Sequence, residues 1–309
     1  MNLGIDTSNY TTSVALYEGN EIYHYKKLLQ VNDGRLGLRQ SEAVFGHIKS
    51  INEVFDKAVR NFDLTNLKSI GVSVKPRDIE GSYMPCFLVG KSIANIIASV
   101  LDIECYEFSH QAGHIVSALH SVDRLDILDN QFIAFHVSGG TTEALLVTPD
   151  RESVIKTEIV SKTLDLNAGQ VIDRVGNMLD FPFPSGRYID NLSKQSEKEF
   201  KIVPCIKGND CCLSGIENKC ANMRESFKDE DIAKYVIDYI LITLDKICEK
   251  LITKYGNMPV VFSGGVMSNS TISEKLSKKY NALFASPEFS SDNAAGVAIL
   301  SKIKQEKMS

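Results

Sequence analysis

Two short runs near the amino terminus alternate apolar with small or polar positions, Leu3-Gly4-Ile5 and Thr12 to Leu16, and the polar stretch Asp6-Thr7-Ser8-Asn9 divides them. A period of two puts successive side chains on opposite faces of an extended chain, so the pattern predicts strand, polar turn, strand. The same arrangement returns at Ile133 to Val137, Ser138-Gly139-Gly140 and Thr142 to Val147. At an offset of 130 residues Ser8 falls on Ser138, Thr11 on Thr141 and Thr12 on Thr142. A repeat at that distance predicts two copies of one α/β unit.

Elsewhere the period lengthens to that of an amphipathic helix, at about Ser41 to Val59, Val89 to Leu101 and Asp229 to Lys254, the last stopped by Gly256. Strands are predicted at Ser69 to Val74 and Pro259 to Phe262, and a helix opening after Asn167 carries Gln170, Asp173 and Arg174. The charged stretch Ser193 to Lys201 reads as a solvated surface segment. The division expected is a first lobe over 1–129 and a second over 130–309, with a last helix at about 293–305 packing back on the first lobe.

With 309 residues, 43% of them hydrophobic, the chain can bury two cores. The strand pattern begins almost at Met1, so no leader is predicted, and the longest apolar stretch, Tyr235 to Leu244, is short and broken by Asp238. Seven cysteines without a secretory signal point to reduced thiols and a cytoplasmic protein. Cys205, Cys211, Cys212 and Cys220 cluster, but no gap has the two-residue spacing of a zinc knuckle, so no zinc site is predicted there. A net charge of −5 neither announces a nucleic-acid binder nor excludes one, since a local basic strip can supply phosphate contacts.

The candidate chemistry lies in Ser109-His110-Gln111-Ala112-Gly113-His114. On a helix capped by Ser109, residues four apart share a face, and His110 and His114 can grip one divalent metal. The third ligand expected is Asp292, in the turn before the last helix, whereas His120 lies off the shared face and reads as a helix-end histidine. The two polar turns, Asp6-Thr7-Ser8-Asn9 and Val137 to Thr141, are suited to binding phosphates across a cleft between the lobes. A third turn, Ser263 to Asn269, is suited to a nucleoside. A helical zinc peptidase needs a glutamate directly after its first histidine, and Gln111 stands there, so that class is disfavoured.

The ordered series Gly4-Ile5-Asp6-Thr7-Ser8, His110-x-x-x-His114, Val137-Ser138-Gly139-Gly140, Asn167-Ala168-Gly169 through Asp173, Pro184-Ser185-Gly186, Leu213-Ser214-Gly215, Gly264-Gly265-Val266 with Asn269, and Ser291-Asp292-Asn293-Ala294 resembles one known family. It is the TsaD-type threonylcarbamoyl-adenosine synthases of tRNA modification, formerly called O-sialoglycoprotein endopeptidases. The resemblance implies an α/β fold of duplicated actin-like ATPase (RNase H-like) domains, two lobes around a nucleotide cleft. It implies one divalent metal, iron or zinc, on His110, His114 and Asp292, with Mg and ATP or an adenylate. It places the nucleotide against Val137, Ser138, Gly139, Gly140 and Thr141, with Asp173, Gly186 and Asn269 around ribose and base.

The implied reaction moves threonylcarbamoyl from its adenylate to adenosine of tRNA, with a TsaB-like helper and no membrane. Against the family pattern, Tyr10 and Thr11 replace two acidic residues, Thr141 a histidine and Glu217 a lysine, and Lys75-Pro76-Arg77 stands for a Gly-Pro-Gly loop. Those departures keep open a paralogue that is a nucleotide-binding scaffold, or one acting as a carbamoyl or phosphotransferase on another substrate.

Overall fold

The alternating runs at the amino terminus form β1 (Asn2–Asp6) and β2 (Thr11–Glu18), paired antiparallel, and β3 (Glu21–Leu28) extends the sheet. The computed structural model describes residues 1–8, 10–29, 38–286 and 293–308. α1 (Gln40–Val59) leads to β4 (Ser69–Lys75), parallel to β1, and α2 (Phe87–Leu101) leads to β5 (Glu104–Ser109), parallel to β4. The chain passes from β5 directly into α3 (His110–His120).

The second series runs β6 (Phe132–Val137), β7 (Thr142–Asp150), β8 (Val154–Lys162), α4 (Ala168–Met178) and α5 (Gly186–Ser193). A small ribbon of β9 (Cys205–Lys207) and β10 (Asp210–Cys212) precedes α6 (Gly215–Met223) and α7 (Asp229–Tyr255). β11 (Val260–Ser263), α8 (Ser270–Tyr280), β12 (Leu283–Phe284) and α9 (Asn293–Met308) complete the order.

Among the described residues the strands make two five-stranded sheets, β3-β2-β1-β4-β5 and β12-β11-β6-β7-β8, besides the ribbon. Read from its other edge, the second order is β8-β7-β6-β11-β12, the plan of the first. The repeat extends to the register. Asn2 faces Tyr17 and Asp6 faces Ser13 in the first hairpin, and 130 residues later Phe132 faces Val147 and His136 faces Glu143.

By compactness the chain divides into one unit of Met1–Asn130, Thr148–Thr157 and Glu288–Ser309, and a second of Gln131–Val147 and Glu158–Pro287. In the first unit, Leu3, Ile5, Val14, Ile70 and Val72 form the sheet's contribution to one core, with Ile51, Val54 and Ala94 from α1 and α2. α9 covers the sheet with its own backbone. A methyl group on Gly4 would lie 2.0 Å from the Ala294 carbonyl oxygen, and one on Gly71 would lie 2.0 Å from that of Val297. Glycine is required at both positions because the helix and strands touch main chain to main chain.

The second unit is organised on α7, whose first turn carries Asp229, Glu230 and Asp231, charges that suit the positive end of the helix dipole. α7 stops at Gly256, with φ +95°, where side-chain-bearing residues are strained. The stretch read as solvated, Ser193 to Lys201, is mostly exposed and is also tied to this helix. Ser196 Oγ donates to Asp231 at 2.6 Å, Lys198 pairs with the same carboxylate, and the Phe200 ring sits edge-on to Tyr235 at 5.3 Å. Among the described residues no helix is long and apolar enough to cross a membrane.

Candidate functional site

α3 begins as its sequence requires. Ser109 is the N-cap, its Oγ accepting from the Ala112 amide at 3.2 Å and donating to Asp78 at 2.9 Å. The amide of Gln111 donates to the Pro76 carbonyl, so the Lys75-Pro76-Arg77 loop fixes where the helix starts. From this start His110 and His114 lie one turn apart, ring centroids separated by 4.6 Å in an edge-to-face arrangement. His120, the last residue of α3, packs edge-on to Tyr17 at 5.8 Å.

A residue distant in sequence completes the arrangement. Asp6, at the end of β1 and 1% exposed, has its Oδ2 2.8 Å from His110 Nδ1, while its Oδ1 accepts from the Ser8 amide. Burial by itself would push this carboxyl up, but the charge and hydrogen bond of His110, with hydrogen bonds from Ser73 and Ser8, hold it well below the usual carboxylate range. A carboxylate can only accept, so His110 Nδ1 carries a proton, and in the neutral ring Nε2 is then the nitrogen able to ligate a metal. Backing a histidine with a carboxylate in this way is how metal-binding imidazoles are oriented. The donor set on α3 therefore fits a divalent metal.

Asp292, the third expected ligand, lies outside the described residues, as does Asn9. Among the described residues no group of three His, Cys, Asp or Glu side chains is arranged to hold a metal ion. The helix that follows Asp292 in the chain, α9, is locked to α3. A methyl group on Gly296 would lie 1.9 Å from the carbonyl oxygen of Gly113, the residue just before His114.

The first polar turn is built differently from the phosphate loop expected. The carboxylate of Asp6 is engaged with His110, and the Thr7 hydroxyl donates to the Cys86 carbonyl and accepts from the Gly90 amide. Both side chains are bonded within the first unit. Gln111, only 9% exposed, accepts from the Thr157 hydroxyl at 3.0 Å through its amide oxygen.

In the second unit the expected nucleotide residues occupy one corner. Val137 ends β6, and Ser138 to Thr141 form the turn into β7, closed by the Ser138 amide on the Thr141 carbonyl at 2.7 Å and by the Thr141 amide on Ser138 Oγ at 3.1 Å. Two further backbones press on this turn. A methyl group on Gly169, in the first turn of α4, would lie 2.7 Å from Gly139 Cα, and one on Gly264, with φ +99°, would lie 2.4 Å from the Val137 carbonyl oxygen. Gly139 and Gly140 themselves face open space. Three main-chain turns thus meet with little side chain between them, an arrangement suited to a phosphate or ribose.

α5, absent from the sequence reading, links the remaining expected residues. Asp173 on α4 accepts from the Ser185 amide at 2.8 Å just ahead of Gly186, the exposed first residue of α5. Asp190 near the other end of α5 accepts from Asn269 Nδ2 at 2.7 Å, while Asn269 Oδ1 caps α8 by accepting from the Ile272 amide at 3.0 Å. Asn269→Ala removes both bonds and is expected to destabilise by about 1–2 kcal/mol, visible as a lower melting temperature, with Asn269→Asp keeping the cap.

Asp165 was not anticipated. It accepts from the Leu213 amide and from the Ser214 amide and hydroxyl, and so fixes the Leu213-Ser214-Gly215 turn. Burial raises its pKa, and these hydrogen bonds outweigh that effect and lower it. Glu217, after this turn, pairs with Arg174 of α4 at 2.9 Å.

The family described as TsaD, tRNA N6-adenosine threonylcarbamoyltransferase, matches residues 28–299 of this chain. Curated proteins called tRNA N6-adenosine threonylcarbamoyltransferase are similar over nearly full length. That of Mycoplasma mobile is 29% identical, covering 99% of each chain, and that of Carboxydothermus hydrogenoformans is 29% identical, covering 96% of this chain and 90% of its own. Among solved structures, T. kodakarensis HypF superposes with a TM-score of 0.64 at 12% identity, over 99% of this chain and 48% of HypF. A ROK family glucokinase from Streptomyces griseus gives 0.54 at 9% identity, over 98% and 99%. At such identities these likenesses establish the fold alone, the two-sheet α/β architecture of the actin-like ATPases.

Proposed function

The chain belongs to the TsaD family of tRNA N6-adenosine threonylcarbamoyltransferases, and from that premise we propose that it transfers a threonylcarbamoyl group from threonylcarbamoyl-adenylate to adenosine of tRNA. The observation that carries the reading on this chain's own residues is the Asp6–His110 pair beside His114, a backed imidazole of the kind a metal site needs.

His110, His114 and Asp292 would hold the ion. Bound there, a divalent iron or zinc supplies Lewis-acid polarisation of the carbamoyl carbonyl. Asp6 accepts from His110 Nδ1 and so fixes the orientation of that ring. The Ser138–Thr141 turn, with Gly169 and Gly264 against it, receives the adenylate through main-chain groups, and Asp173, Gly186 and Asn269 stand near ribose and base. The adenosine N6 attacks the carbonyl carbon and loses a proton as the bond to the phosphate oxygen breaks, releasing AMP. Amides of the Ser138–Thr141 turn stabilise the phosphate charge that develops.

A tRNA acceptor supports a cytoplasmic location, and a TsaB-like helper is the expected protein partner.

The test is mass spectrometry of nucleosides from tRNA incubated with metal-loaded protein and synthetic adenylate. Threonylcarbamoyl-adenosine is expected. Nucleotide binding with no modified adenosine would replace this reading with that of a nucleotide-binding partner protein. In the same assay Asp6→Asn is expected to weaken metal binding by about 10–100-fold, measured by equilibrium dialysis, because His110 loses its backing carboxylate.

A further inference from the structure

The β9–β10 hairpin has no role in the reading above, yet it carries two cysteines in a defined relation. Its register sets Lys207 against Asp210, Ile206 against Cys211 and Cys205 directly against Cys212. Residues facing each other on an antiparallel ladder have Cα atoms about 4.5–5.5 Å apart and side chains on one face. That separation falls inside the range of about 4.4–6.8 Å that a disulfide spans. Burial raises the Cys212 thiol, and the neighbouring Cys205 thiol adds to that shift.

The other cysteines are placed quite differently. Cys211 alternates to the opposite face and is buried, as are Cys86, Cys220 and Cys248, and burial pushes the thiols of Cys211, Cys220 and Cys248 up to about 12. Burial also raises Cys105, to about 11. Cys205 is exposed and Cys212 half-buried. Only this pair combines access with mutual contact.

The hairpin is also held in its paired form. Lys250 Nζ donates to the Gly208 carbonyl at 2.7 Å, Ser161 Oγ to the Asn209 carbonyl at 2.6 Å, and the Lys162 amide to Asp210 at 2.9 Å. The Cys205 amide donates to Tyr239 Oη at 3.0 Å. Bond formation between the sulfurs therefore needs no ordering of the backbone.

We propose that Cys205 and Cys212 form a dithiol modification site that takes a small-molecule disulfide as its oxidant and closes to an intrachain disulfide. Cys205, the more accessible, gives up its proton and attacks one sulfur of the small disulfide. That S–S bond breaks, and one small thiol leaves carrying a proton. Cys212, deprotonated in turn, attacks the Cys205 sulfur of the mixed disulfide and releases the second small thiol. Two electrons pass from the protein thiols to the small disulfide, which is reduced to two thiols. The new bond lies next to the Leu213-Ser214-Gly215 turn that Asp165 fixes, so the closed hairpin is coupled to the start of α6.

The experiment exposes the full-length native chain to oxidised glutathione, quenches with acid, alkylates the remaining thiols and maps peptides by mass spectrometry. The expected result is loss of two alkylatable thiols and a peptide linking Cys205 to Cys212, both reversed by dithiothreitol. Cys212→Ser is expected to retain one glutathione on Cys205, and circular dichroism checks that this variant is folded. A stable glutathione adduct on Cys205 of the unsubstituted chain would overturn the proposal. So would both thiols remaining reduced while iodoacetamide alkylates Cys205 normally.

Discussion

Alanine at His110 or His114 is expected to remove bound metal and to lower threonylcarbamoyl transfer by at least about 100-fold. The upper limit for losing a backing partner of a ligand is of that order, and losing the ligand itself costs no less. The two rings sit one helical turn apart on a helix whose start is fixed by Ser109 and Pro76, so neither can be replaced by a shift of the other. Metal content by elemental analysis and product by nucleoside mass spectrometry should fall together. His120→Ala supplies the comparison: its ring packs on Tyr17, and metal content should not change. Metal retained in full by His110→Ala would remove this histidine from the site.

Gly296→Ala should destabilise the first unit by about 3 kcal/mol, at the upper end of the cost of overpacking. The added methyl would lie 1.9 Å from the Gly113 carbonyl oxygen, a backbone atom that cannot rotate away, so α3 and α9 must separate. For a unit of this size the melting temperature should drop by roughly 10 °C. Gly265→Ala, which meets nothing within 4 Å, should change stability by less than about 0.5 kcal/mol. Because α9 follows directly on Asp292 in the chain, Gly296→Ala is also expected to weaken metal binding. An unchanged melting curve would mean that the two helices do not meet this closely.

The duplicated hairpins were legible because alternation and offset repeat together: two buried strands around a polar turn leave a period of two wherever they occur. The long helices were legible from their caps and stops, as Asn167, Ser109 and Gly256 illustrate. β3 was not, since its Lys and Glu positions are those of an edge strand with much of its surface in solvent. α5 was missed because its eight residues carry only Ile189 and Ser193 into the interior. In the site, His110 and His114 were visible because their spacing is local. The partnership of Asp6 with His110 spans 104 residues and arises from β1 and β5 lying on either side of β4, which no local pattern encodes. Asp165 was missed for the same reason, its bonds reaching 48 and 49 residues ahead.

The helix lying on Gly4 and Gly71 has a consequence for how the protein is made. Residues 293–308 are synthesised after every strand of the sheet they cover, so until they emerge that sheet has one face without its cover. The nascent sheet must therefore wait with Gly4, Ala15 and Gly71 on an unfilled groove, while Leu3, Ile5 and Ile70 on the opposite face already have α1 and α2 to pack against. Chains interrupted shortly before Asn293 should be aggregation-prone and dependent on chaperones, although all five strands of that sheet are present.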